Sequence, residues 1–177
     1  MSTVIRNLLL AIFLTGAIAV AKPYLEMALY SARLASLPAP QTLAMPVDGV
    51  GRHALRDTWH APRSGRRRHE GIDIVAPGGT PVRAATEGVV LHVGTNRLGG
   101  RVVWVLGPGG QRHYYAHLAR FADVFPGQRI AAGTLLGHVG DTGNARGTPP
   151  HLHYGIYAGG GAVNPFPLLQ GRVESPS

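Results

Sequence analysis

The chain has 177 residues and a formal net charge of +8, room for one domain with its own core and a short appendage but not for two comfortable domains. Its 25 Gly and 14 Pro exceed what a helical bundle uses, and the absence of cysteine excludes disulfides, thiol catalysis and any Cys-based zinc cluster. The charge rests on arginine, Lys22 being the only lysine, and points to an anionic partner or surface.

At the N-terminus, Arg6 precedes an uncharged stretch from Asn7 to Ala21 that ends in Ala19-Val20-Ala21, the three-part pattern of a secretory signal peptide. As a helix at about 1.5 Å per residue this stretch reaches only ~22 Å, short of the roughly 30 Å hydrocarbon core, which favours cleavage after Ala21 over a permanent span. The rival is an uncleaved anchor, since Leu25, Ala28, Leu29, Ala32 and Ala35 keep near-helical spacing and would carry a helix past Pro23. Residues 1–21 are therefore expected to be a signal peptide or membrane anchor, and residues 22–45 a linker with a short helical segment, with Pro38 and Pro40 in its last part. Either way the remainder is expected outside the cytoplasm, periplasmic or in the cell envelope, with residues 7–21 as the attachment to the inner membrane if the segment is retained.

Next in order, Arg63 and the run Arg66-Arg67-Arg68 lie among Pro, Ser and Gly with no interleaved aromatic residue, so they read as a solvated loop and no nucleic-acid partner is expected. Short apolar runs then alternate with turn signals: 72–75 before Pro77-Gly78-Gly79, 88–93 before Asn96, 102–106 before Gly107-Pro108-Gly109-Gly110, 113–118, 134–139 after Pro126-Gly127-Gln128, and 151–157 before Gly159-Gly160-Gly161. No amphipathic helix of more than three turns interrupts them. The predicted fold class is all-β, an antiparallel sheet domain over residues 46–170 with a flexible tail at 171–177.

Five of the nine histidines fall into three clusters: His69 with Asp73, His113 with His117, and His151 with His153. Without cysteine, imidazole and carboxylate are the side chains left to bind zinc well, and a catalytic zinc site usually takes three of them and keeps a position open. In a strand, residues i and i+2 share a face, so His151 and His153 point together while Leu152 turns away. His69 and Asp73 share a face if extended, with Gly71 allowing close approach between them and Ile72 and Ile74 directed to the core. His113 has the strand parity of His117. Parity leaves open which of His151 and His153 touches metal.

These residues resemble the lysostaphin and LytM-like zinc endopeptidases, the M23 peptidases. The motifs are His69-Glu-Gly-Ile-Asp73, Tyr115-Ala-His117-Leu, Pro126-Gly-Gln and Gly140-Asp-Thr-Gly143, followed by His151-Leu-His153, in family order over about residues 45 to 168. The resemblance implies a compact antiparallel domain with an active-site groove over the sheet. It implies Zn²⁺ on His69, Asp73 and His153, with His117 and His151 as the catalytic histidines, and peptidoglycan stem peptides or cross-bridges as substrate. His113 matches no essential family position. Thr148-Pro149-Pro150 departs from relatives that carry one proline before the last motif, and it removes no functional group. Two other functions compete: a non-catalytic zinc-containing module that binds wall or activates another hydrolase, and a secreted metallopeptidase acting on glycine-rich protein segments.

Overall fold

A computed structural model describes residues 2–171, so the tail expected at 171–177 lies, beyond Gly171, outside the described residues. The chain divides between Arg33 and Leu34 into two units. The first consists almost wholly of helix α1 (Thr3–Ser36), which is apolar and long enough to cross a membrane by length and composition. The helix runs on through Pro23. A proline removes one N–H and crowds the carbonyl four residues back, yet the helical assignment continues on both sides of it. The 34 residues rise ~51 Å rather than the ~22 Å of the apolar stretch alone.

The second unit is built on an antiparallel sheet. Its strands are β1 (Ile72–Val75), β2 (Pro81–Arg83), β3 (Gly88–Asn96), β4 (Gly100–Leu106), β5 (Arg112–Phe121), β6 (Arg129–Ile130), β7 (Leu135–Val139), β8 (His151–Ala158) and β9 (Gly161–Val163). Among the described residues the main path runs β1-β8-β5-β4-β3-β6, with β9 on β8 and β7 joining β5 to β2. The six apolar runs of the sequence are the six longer strands. Strands β2, β6 and β9 have two or three residues each, too few to show a period-2 pattern.

Side-chain alternation divides the central strands between two faces. Val103 and Val105 of β4, Tyr115 and Leu118 of β5, and Leu152, Tyr154 and Ile156 of β8 enter the main core with Ile72 and Ile74 of β1. Val102, Trp104, Tyr114, Ala116 and Tyr157 cluster separately on the other face. Leu152 is fully buried, and truncating such a side chain to Ala costs about 2–5 kcal/mol. Leu43, within the stretch read as linker, is also in the core, and its N–H donates to the Leu168 carbonyl. Leu168 belongs to helix α2 (Pro165–Gln170), which starts at Asn164, whose side chain accepts from the Phe166 N–H, and stops at left-handed Gly171. Arg52 ties this helix down through the Leu169 carbonyl.

Candidate metal centre and groove

Sheet register brings the distant motifs together. Asp73 of β1 lies opposite His153 of β8, and His153 lies opposite Ala116 of β5 on its other side. His69 precedes β1 in a hairpin closed by paired backbone bonds, His60 N–H to the His69 carbonyl and His69 N–H to the Ala61 carbonyl. Gly71 permits the close fit: a Cβ there would stand 2.8 Å from His153 Cε1 and run into the Tyr154 carbonyl.

The nitrogen each histidine offers follows from its backbone partner. His69 Nδ1 is 2.7 Å from the Thr58 carbonyl, His117 Nδ1 is 2.8 Å from the Thr142 carbonyl, and His151 Nδ1 is 2.9 Å from the Pro149 carbonyl. A carbonyl only accepts, so each Nδ1 carries a proton and donates it, and a neutral ring then presents Nε2 as a lone pair. His153 is used the other way round. Its Nδ1 lies 2.8 Å from His69 Nε2 and 3.2 Å from Asp73 Oδ1, and His69 Nε2 is 3.0 Å from the same oxygen.

Three donors, two imidazole nitrogens and one carboxylate oxygen, therefore converge on one point, and they form a group able to hold a metal ion. On a tetrahedral zinc with ligand bonds of about 2.0–2.1 Å, donors stand roughly 3.3 Å apart, so the spacing fits with little movement. Borderline-soft nitrogen with one hard oxygen is a donor set suited to zinc.

The carboxylate is held in its charged form. Burial alone would raise the Asp73 pKa, but its polar contacts with His153, His69 and Arg63 outweigh it and hold the group well below the usual carboxylate range. Its two oxygens divide the work: Oδ1 faces His69 and His153, whereas Oδ2 pairs with the Arg63 guanidinium. Thr58 adds a further support, its hydroxyl accepting from the Asp73 N–H at 3.0 Å.

His117 and His151 stand beside this trio without joining it. Their ring centroids are 5.0 Å apart, and that of His117 is 5.9 Å from that of His153. Burial above all, with His153 and His151 acting in the same direction, lowers the His117 pKa to about 4 against the opposing Thr142 bond, so the ring is neutral at pH 7. All five residues line one groove of about 790 Å³, with Trp104, Tyr114 and Tyr157 along its wall.

Strand parity holds in β8 and β1 and fails in β5. His113 is fully buried on the core side, bonded at 2.7 Å to the Tyr154 hydroxyl, while His117 reaches the groove. The cause is a left-handed residue in mid-strand: His117 has φ 64°, and the β4 and β5 registers shift beside it. That conformation turns His117 outward and re-phases Leu118 into the core. The arginines are exposed, as their reading as a solvated loop requires, and Arg63, Arg67 and Arg68 also border the groove. Sequence reasoning missed Thr58, whose hydroxyl and carbonyl carry no motif, and Arg63, which was hidden in that run.

The sequence matches peptidase family M23 over residues 67–165. The chain belongs to this family. It is 39% identical over 130 residues to the L-Ala–D-Glu endopeptidase of Bacillus subtilis, an alignment covering 67% of this chain and 40% of the relative. It is also 39% identical over 117 residues to the DD-carboxypeptidase/endopeptidase Mpg of Neisseria meningitidis serogroup B, covering 66% of this chain and 25% of that protein. The catalytic domain of lysostaphin from Staphylococcus simulans superposes with a TM-score of 0.60 at 27% identity, covering 67% of this chain and 95% of that domain. The chain thus spans less than half the length of these two curated relatives.

Proposed function

We propose that this M23 domain is a zinc-dependent endopeptidase that hydrolyses peptide bonds in peptidoglycan stem peptides or cross-bridges. The observation that carries the reading is the meeting of two carbonyl-oriented histidines with a His-Asp-His donor trio in one groove. The names of curated relatives, an L-Ala–D-Glu endopeptidase and a peptidoglycan DD-endopeptidase among them, support the substrate class.

In this reading His69 Nε2, Asp73 Oδ1 and His153 Nδ1 hold the metal. Zinc there supplies Lewis acidity toward the scissile carbonyl and lowers the pKa of water toward ~7. His117 and His151 share the general-base role through their Nε2 lone pairs, and the ring that takes the water's proton then donates Nε2–H to the developing oxyanion. Water oxygen adds to the carbonyl carbon, the C–N bond breaks, and the proton taken from water passes to the departing amine. Arg63 and Thr58 fix the carboxylate, Arg63 through Oδ2 and Thr58 through the Asp73 N–H. The apolar α1 serves export or attachment, placing the groove in the cell envelope where its substrate lies.

The test is to incubate isolated peptidoglycan with the purified chain and identify new amino termini by mass spectrometry. Release of peptides that stops with a chelator and returns with zinc is the expected result. Bound zinc with no new termini would instead favour a wall-binding or hydrolase-activating module.

A further inference from the structure

The peptidase reading leaves the side chains of the substrate undefined, and the charge around the groove addresses them. Besides the histidines and the neutral tyrosines, its charged lining is Arg63, Arg67, Arg68 and Arg97 against Asp73 and Glu70. Asp73 is already engaged by Arg63 and the imidazoles, and Arg68 and Arg97 then face Glu70 across the groove lining. Neither Arg68 nor Arg97 forms an ion pair among the described residues.

These two cations approach from different elements on ordered backbone. Arg68 is bridged to Pro62 in the hairpin that delivers His69. Arg97 sits in the β3–β4 turn, where the Asn96 side chain accepts from Leu98 N–H at 3.1 Å and Gly99 N–H at 2.7 Å. That turn is joined to the site directly, because the Gly99 carbonyl accepts from the His117 N–H at 2.7 Å. Arg68 is thus fixed relative to a metal-trio residue and Arg97 relative to a groove histidine. A cleft lined by one sign of charge concentrates its field on the bound ligand, and guanidinium matches the fork of a carboxylate.

We infer that the groove selects peptides with free carboxylates on the residues flanking the scissile amide, with Arg68 and Arg97 as specificity-determining residues. This rests on the peptidase reading above and narrows its substrate to acidic stem peptides over uncharged glycine bridges or amidated stems.

The experiment uses two peptides identical except that one carries free side-chain carboxylates and the other carboxamides, offered to the zinc-loaded full chain and to an R68Q/R97Q variant. The parent is expected to favour the carboxylate peptide by about tenfold in kcat/KM, chiefly through KM and less so at high salt, as for one well-placed charge contact. In R68Q/R97Q the ratio falls toward one. Equal kcat/KM for the two peptides with the parent, or a preference that survives in the variant, overturns the inference. If neither peptide is cut, the peptidase reading fails, and calorimetric binding of the same pair still decides: tighter binding of the carboxylate peptide, lost in R68Q/R97Q, upholds the cationic selection, and equal binding rejects it.

Discussion

His117 donates its Nδ1–H to the Thr142 carbonyl at 2.8 Å while its own backbone sits at φ 64°. The residue is thus set in a left-handed conformation that non-glycine side chains enter at a cost of roughly 1–2 kcal/mol, and its ring is locked in one tautomer. Replacement with Asn is the suitable probe, because Asn tolerates that conformation. His117→Asn is expected to keep one equivalent of zinc and to lose about 10²- to 10⁴-fold in kcat. Parent-like turnover in this variant would remove His117 from the chemistry.

Gly71 tests how tightly the metal trio is packed. A methyl group there meets His153 Cε1 at 2.8 Å and the Tyr154 carbonyl, whereas Gly159 has nothing within 4 Å. Gly71→Ala is expected to weaken zinc affinity about 10- to 100-fold by displacing the His153 ring, in the range seen when a ligand loses its support. Gly159→Ala keeps parent affinity. Competition with a chromophoric chelator measures both.

Thr58 supports two members of the trio at once, through its carbonyl on His69 and its hydroxyl under the Asp73 N–H. Thr58→Val preserves shape and leaves that N–H unpaired, a loss of about 1–3 kcal/mol. Urea unfolding of the metal-free chain is expected to register it, together with weaker zinc binding. Thr58→Ser, which retains the hydroxyl, restores most of both.

His113 governs part of the acid sensitivity. Burial lowers its pKa from 6.5 to about 4, so between these values the unfolded chain binds a proton that the folded chain refuses. The stability from this group is complete above pH 6.5 and declines as pH falls toward 4. By linkage the loss between pH 7.5 and 5 is about 2 kcal/mol. His113→Gln cannot titrate, and its unfolding free energy, measured with chelator present, is expected to fall by that much less over the same interval. An unchanged pH slope would contradict this.

Much of the site was legible because strand period and burial agree where strands are regular. His151-Leu152-His153 alternates as the pattern requires, with Leu152 in the core, and Ile72 and Ile74 bury as expected around Asp73. Parity broke at β5, since the left-handed His117 turns outward and re-phases Leu118 into the core, and no composition signal marks a positive φ at a histidine. The tautomers were equally hidden. Thr58, Thr142 and Pro149 act through main-chain carbonyls that every residue possesses, so only the folded geometry singles them out. Family resemblance proposed His153 as the ligand, and the structure adds the atom, Nδ1, that meets Asp73 Oδ1.

The claim that the His69-Asp73-His153 trio holds the zinc that drives hydrolysis is tested most directly by titrating zinc into the metal-free chain while following peptide release from isolated peptidoglycan. Activity is expected to rise in proportion to added zinc and to level off at one equivalent, with Asp73→Asn showing neither tight binding nor release. Peptide release that persists in the metal-free chain, or an Asp73→Asn variant as active as the parent, would contradict it.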